Sequence, residues 1–333
     1  MTTRRDLMTN ALLTAIAGAP LLASPATALA QAFRTIPQRA SARVIIDNDF
    51  AGDPDALVAL AHQVLTPKTR TVLITSSGLN LQFADKAVAG RSAALGRDIA
   101  IDLMKRAGIA SPPPVLAGPE SFGASDAQVT AAARAIVAEA MRDDKLPLFI
   151  TCGGPLTNIA AALRLEPAIA KRMTLVWIGG GVYPKGGWEY NLATDVEAAR
   201  HVIEQSAIPI WQIPQNAYRQ MQYSIAEMAT TLRPISPFAA WLYDSFTAPP
   251  DFIDVAGAWP LGDSPTVLLT AISAESSGFQ DRPALRINPD MSYGAPVEGR
   301  TVRVFETLDV RLTFADFIAL LRLHAEGKLP APA

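Results

Sequence analysis

The sequence predicts an α/β fold: a doubly wound, mostly parallel open sheet with helices on both faces and a helical insertion near the ligand crevice. Two observations predict it. From Arg43 onward, short β-branched or aliphatic runs alternate with longer Ala-rich amphipathic stretches, which is the pattern of repeated βαβ units. The short runs are apolar throughout instead of alternating, as strands covered on both faces are. With 333 residues, 50% of them hydrophobic, the chain can bury one large core.

In order, the strands expected are Arg43–Ile46, Thr71–Thr75, Pro114–Leu116, Leu148–Thr151, Leu175–Ile178 and Ile208–Trp211. The helices between them are Asp55–Leu65, Phe83–Lys105, Asp126–Asp143, Leu156–Arg164 and Asp195–Gln205. Leu232–Pro265, rich in Pro, Phe and Trp, reads as a helical insertion or lid, and the strand-like Thr301–Phe305 leads into a Leu-rich helix, Thr313–His324. In an open sheet of this kind ligands collect at the carboxyl ends of the strands.

Residues 1–30 read as an export signal. Arg4-Arg5 forms a twin-arginine head, Ala11–Leu22 an apolar stretch, and Ala28-Leu29-Ala30 a small-residue cleavage pattern. The stretch is broken by Gly18 and Pro20 and falls short of the roughly 20 residues a spanning helix needs. The expectation is therefore a Tat-type signal over 1–30, a linker over 31–40, and a periplasmic catalytic domain over 41–333 with no stable membrane association after processing. Net charge is −2, from 29 Lys and Arg against 31 Asp and Glu, which provides no basic field for a nucleic acid polymer. The single cysteine, Cys152, excludes an internal disulfide framework and a Cys-rich zinc site.

Four segments could carry chemistry. The first strand is followed by Asp47-Asn48-Asp49-Phe50-Ala51-Gly52-Asp53-Pro54-Asp55, four carboxylates on one turn that opens a helix. Like charges so crowded repel, and a bound cation is the usual way to hold them together. Oxygen donors with no His or Cys nearby favour a hard ion, Ca²⁺ or Mg²⁺; the plainer alternative is a solvated turn with Asp55 as helix cap. The fourth strand is followed by Cys152-Gly153-Gly154-Pro155-Leu156-Thr157-Asn158, whose glycines allow close backbone approach or serve an ordinary strand-to-helix turn. In Trp188-Glu189-Tyr190-Asn191, a carboxylate and an amide stand two apart, with Asp195 suited to cap the next helix. In Gly262-Asp263-Ser264-Pro265 a lone acid is either a cap or a ligand.

The order and spacing of these motifs resemble the nucleoside hydrolase family, in particular its inosine/uridine-preferring members, from about Arg43 to about Thr270. The resemblance implies Ca²⁺ as cofactor and a small-molecule nucleoside or related N-riboside as substrate, and it admits a homo-oligomer. Asp49 is similar to the family's aspartate that binds calcium and acts as general base, Asp263 to its late calcium ligand, and Gly153 to the residue whose carbonyl binds the metal. Asn80, Glu189 and Asn191 match sugar-binding positions, and Asp47 matches the aspartate that orders the turn. The chain departs from the family in two places. Pro54 separates Asp53 from Asp55 where the family has adjacent aspartates; the reading favoured here gives Asp55 to the metal and Asp53 to the sugar. Gly262 stands where several relatives carry a proton-donating histidine, and His62, His201 and His324 lie in no recognisable motif. Trp188 and Trp259 remain as candidates to stack on a base.

Two rival readings are tested by the same residues. A haloacid dehalogenase-type phosphatase would want Thr or Val at Ala51 and an acid at Thr266 or Val267, and no G-x-G-x-x-G follows the first strand to support dinucleotide binding. A protein that binds calcium and a ribosyl ligand without turnover is the other alternative, suggested by Gly262.

Overall fold

Strand β1 (Ala42–Asn48) is buried along its whole length, and it divides the interior in two by simple alternation. Ile45 points into one apolar cluster and Val44 and Ile46 into another. Helices therefore cover both faces, as a parallel sheet requires. The computed structural model describes residues 39–329 apart from 53, 81, 83–87, 124–128 and 249–255. The expected signal segment 1–30, most of the linker, and Asp53 lie outside the described residues.

The sheet has eight strands in the order β3-β2-β1-β4-β5-β6-β10-β9, with β2 Thr69–Ser76, β3 Val115–Ala117, β4 Leu148–Cys152, β5 Thr174–Ile178, β6 Ile210–Ile213, β9 Gly278–Ile287 and β10 Tyr293–Thr307. All neighbours run parallel except the last pair, where β9 lies antiparallel to β10. The chain winds outward from β1 to β3, then returns to place β4 on the other side of β1. The order reverses between β1 and β4, the point at whose carboxyl edge open α/β sheets take their ligands.

Helix α1 (Asp55–Leu65) occupies the expected range, and α2 (Ser92–Arg106), α3 (Ala131–Met141) and α4 (Thr157–Leu165) begin later than the sequence suggested. Parts of the two longer expectations, residues 83–87 and 126–128, fall outside the described residues. Short helices α5 (Tyr190–Thr194) and α6 (Val196–Arg200) follow β5, and α6 continues as a π turn through Gln205. Asp195 caps α6 by accepting from the Ala198 N–H at 3.0 Å, as its position suggested. The sixth strand lies two residues later than expected, with Ile208 buried ahead of it.

After β6 come α7 (Gln215–Tyr218), a two-stranded ribbon of β7 (Gln222–Ser224) and β8 (Ala258–Pro260), and between these α8 (Ile225–Thr231) and α9 (Pro237–Phe246). The insertion is helical, as expected, but α9 is no free-standing lid. It buries Phe238, Ala239, Leu242 and Phe246 in the same cluster as α1 and the last helix, α11 (Val310–Ala325). Trp259 meets Phe246 edge-on at 5.7 Å and is buried, so it serves the core and is no platform for a base. Helix α10 (Pro265–Val267) runs on as a π turn to Ile272. No helix among the described residues is long and apolar enough to cross a membrane.

Asp47 shows how the sheet prepares its carboxyl edge. It is fully enclosed; Oδ1 accepts from Thr75 Oγ1 at 2.5 Å and Asn158 Nδ2 at 2.7 Å, and Oδ2 faces the Cys152 thiol at 3.5 Å. Burial pushes its pKa up to about 6, with the three hydrogen bonds opposing that rise only in part. Between about pH 4 and 6 the native state then holds more protons at this site than the unfolded chain, so stability falls as pH rises through that window. Asp47→Asn keeps both bonds to Oδ1 and turns an amide hydrogen toward sulfur. In chelator, urea unfolding should show it matching the wild type near pH 4 and exceeding it by about 2–3 kcal/mol near pH 7. Phe317 of α11, buried with its ring 5.0 Å from that of His62 of α1, ties these two helices into one cluster. Its truncation to Ala should cost about 3–5 kcal/mol in the same assay.

Candidate active site

The site is assembled where β1 and β4 end side by side. Asp47 pairs with Cys152 in register, so the residues that follow, Asn48-Asp49 and Gly153-Gly154, leave the sheet as neighbours. The Gly153 N–H donates to the Asp47 carbonyl at 3.1 Å and extends the ladder one step past the strand. A late segment then closes on this edge. The Asp263 carboxylate accepts from Asn48 Nδ2 at 2.9 Å, and the Asp263 N–H donates to Asp55 Oδ2 at 3.2 Å. Residues more than 200 apart in sequence are thereby fixed against one another.

Asp49, Asp55 and Asp263 are 5%, 8% and 4% exposed, which places three carboxylates out of bulk water in one region. Asp55 begins α1, yet no side chain caps that helix; its carboxylate reaches across to the Asp263 backbone instead. Asp263 likewise does not cap α10: its side chain turns back to Asn48, while its carbonyl takes the Thr266 N–H at 3.1 Å and the Thr266 hydroxyl at 2.7 Å. Asn48 is the residue the sequence reading overlooked. It accepts from the Asp49 N–H at 2.8 Å and donates to Asp263, and only its place between two aspartates could have flagged it.

Gly153 has a steric role. A Cβ built there would stand 2.6 Å from Cγ and Oδ1 of Asp263 and would also strike Asn48 Nδ2. Its carbonyl accepts from Asn191 Nδ2 at 3.0 Å. The same amide nitrogen donates to the Ile178 carbonyl at 2.9 Å, so both of its hydrogens are committed and Oδ1 is the acceptor left to a ligand.

Glu189, 1% exposed, caps α5. Its carboxylate accepts from the N–H groups of Gly180, Asn191 and Leu192 at 2.8, 3.2 and 3.0 Å and from the Tyr218 hydroxyl at 3.0 Å. Burial raises its pKa, and these four donors oppose the rise. Gly180 has φ +85°, a turn that a side chain would strain and that aims its N–H at Glu189. Tyr218, whose own pKa is driven up mainly by burial, lays its ring edge 3.2 Å from where a Gly262 Cβ would stand, and that Cβ would also lie 3.2 Å from Asp55 Oδ2. The space beside Gly262 is therefore bounded by an aromatic ring and a carboxylate. Asn80, 9% exposed, follows β2 at the same edge and accepts from the Gln82 N–H at 3.0 Å.

The histidines stand elsewhere. His62 Nε2 lies 2.9 Å from Asp316, His201 pairs with Gln205, and His324 Nε2 meets the Ala107 carbonyl at 2.9 Å, all as helix-packing contacts. Trp188 is 48% exposed on the segment that leads into α5.

Among the described residues, no group of three or more His, Cys, Asp or Glu side chains encloses a cation position. What suits a cation is the chemistry of the donors: three buried carboxylates and a peptide carbonyl, all hard oxygen, at a glycine whose missing side chain leaves room beside Asp263. Of the enclosed hydroxyls without a hydrogen-bond partner among the described residues, those of Ser76 and Ser77 lie at this edge, a defect that costs about 1–3 kcal/mol for each such group.

Comparison with known proteins agrees with this geometry. Residues 44–310 match the inosine-uridine preferring nucleoside hydrolase family. The pyrimidine-specific ribonucleoside hydrolase RihA of Salmonella paratyphi A is 30% identical over 138 residues, which is 39% of this chain and 44% of that protein. RihA of Salmonella typhimurium is 28% identical over 223 residues, 61% of this chain and 70% of that protein. The chain thus matches less than half the length of the first of these relatives. Among solved structures, the plant nucleoside hydrolase PpNRh1 superposes with a TM-score of 0.66 at 18% identity, covering 86% of this chain and 99% of that one. The inosine-uridine preferring nucleoside hydrolase of Bacillus anthracis does so at 0.63 and 17%, covering 84% and 99%. At these identities the structural likeness speaks to the fold. The family match spans most of the chain, and with the carboxylate edge between β1 and β4 it places this protein in the inosine-uridine preferring nucleoside hydrolase family.

Proposed function

We propose that the protein is an exported, calcium-dependent N-glycosidase that hydrolyses ribonucleosides to free base and ribose. One observation carries the reading: Asp263 is held between Asn48, Asp55 and the bare backbone of Gly153, so that the late acid joins the aspartate turn at the point where the strand order reverses. Asp49, Asp55, Asp263 and the Gly153 carbonyl are the residues that would hold calcium. Bound there, calcium would lower the pKa of a water and anchor ribose hydroxyls.

The protein's own part follows from its donors and acceptors. Asp49 takes a proton from the attacking water, a role in which a placed carboxylate contributes about 10²–10⁴-fold. Asp53, Asn80 and Asn191 recognise sugar hydroxyls, Asn191 through Oδ1, since its hydrogens are engaged. Glu189 fixes the turn that presents Asn191 and is a further residue of the sugar-binding set in this reading. Asp47 orders the turn from beneath. Fixing the anomeric carbon against the water in this way can contribute roughly 7–11 kcal/mol. The twin-arginine head supports export to the periplasm in folded form, which suits a site drawn from segments as distant as residues 49 and 263.

The purified protein should release free base from at least one of uridine, inosine, adenosine and guanosine in calcium, and chelator should abolish that release. Uridine comes first, given the pyrimidine-specific relatives. Asp49→Ala should lower kcat about 10²–10⁴-fold. Asp55→Ala should lose bound calcium by calorimetry, whereas Asp53→Ala should retain it and bind sugar more weakly. Nucleoside binding without base release would favour a ligand-binding protein, a reading that Gly262, which carries no proton donor, keeps in view. Calcium-independent phosphate release from a phosphomonoester would overturn the assignment.

A further inference from the structure

Thr75 and Ser77 leave β2 on one face, because side chains two apart along a strand point the same way. The residues beside them, Asp47 near the end of β1 and Asp49 just past it, are aspartates. Asp47 pairs with Thr75 and Asn48 with Ser76, and the Ser77 N–H carries the ladder one step further by donating to the Asn48 carbonyl at 2.9 Å. Asp49 is therefore to Ser77 what Asp47 is to Thr75. On the first rung the hydroxyl donates to the carboxylate at 2.5 Å. On the second, Ser77 Oγ is fully enclosed and bonds to nothing in the protein.

The neighbour across from it is Gly154. A Cβ at that position would lie 2.7 Å from Ser77 Oγ, 3.1 Å from the Asp49 nitrogen and 3.4 Å from Asp49 Cβ. The hydroxyl and the start of Asp49 thus pack directly on the bare glycine, and any side chain at 154 would collide with them. A buried hydroxyl without a partner weakens the fold, so this one calls for an oxygen or a donor from outside the chain. Ser76 offers a comparison within the same strand. Its hydroxyl is also enclosed and unpartnered, but it points to the opposite face and lies against Gly96 of α2.

We propose that Ser77 is a further water-positioning residue of this site, its hydroxyl accepting a hydrogen bond from the attacking water whose other proton passes to Asp49. The inference rests on the hydrolytic reading above. In the step, the water oxygen bonds to the anomeric carbon, the C–N bond breaks with its electron pair going to the base, and the base is protonated from solvent. Ser77 neither gains nor loses a proton.

The test compares Ser77→Ala and Ser76→Ala with the wild type in uridine and inosine hydrolysis and in thermal unfolding in chelator. Ser77→Ala should lower kcat about ten- to a hundredfold with KM within about twofold, while its Tm stays level or rises because an unsatisfied hydroxyl has gone. Ser76→Ala should show the same Tm behaviour with kcat unchanged. A Ser77→Ala enzyme with wild-type kcat overturns this proposal alone, as does a kcat loss that comes with a lowered Tm or that Ser76→Ala shares. A wild type that releases no base overturns both this proposal and the hydrolytic reading.

Discussion

The parallel pairing of β1 with β2 on one side and β4 on the other is the constraint from which the rest of this protein's chemistry descends. Hydrogen bonding in a parallel ladder fixes which residues emerge together at the carboxyl edge. Here it brings out Asp47 beside Thr75 and Cys152, and two residues later it brings Asp49, Ser77 and Gly154 into reach of one another. Strand order reverses between β1 and β4, and the late Asp263 segment closes on the edge there. A slip of one residue in either pairing would send the acids to the opposite face.

That edge gathers negative charge in a dry place, which is costly for the apo fold. Asp47 is raised to about 6 by its burial, even with three groups donating to it. Glu189 is raised as well, against four donors. The protein meets the cost by local hydrogen bonding where a carboxylate shapes a turn, and under the proposed function it leaves other oxygens for a ligand to complete. Asp47 and Glu189 belong to the first kind. Asn191 shows both behaviours within one side chain, with its nitrogen tied to two carbonyls and its oxygen left over.

Much of this could be read from the sequence. The β-branched runs gave six strands of the sheet to within two residues at most ends, because a strand buried on both faces has no polar residue to blur it. Helix α1 was legible to its ends, Asp55 and Leu65. Of the β9–β10 hairpin only Thr301–Phe305, inside β10, was legible; in β9, Gln280, Asp281, Arg282 and Pro283 face an edge where water replaces a second layer, so no apolar run marks it. Among site residues, the acids were visible because crowded aspartates repel and ask for an explanation. Asn48, Ser77 and Tyr218 were not, since each acts through a contact with a segment far away in sequence. Whether Leu232–Pro265 was an insertion or a lid stayed open in the sequence for a related reason. Phe238, Leu242, Phe246 and Trp259 look alike whether they cover a crevice or fill a core, and here they fill the core beneath α11.

Gly153 has one more consequence, for anyone who would stabilise the protein by design. Its backbone has an ordinary negative-φ conformation, unlike that of Gly180, so a survey of dihedral angles would select it for replacement by alanine to reduce the freedom of the unfolded chain. The methyl group would fall on the Asp263 carboxylate. Such a variant could emerge from a thermal screen as a success and still have its late acid displaced, since what occupies the room at 153 is the working position of another residue.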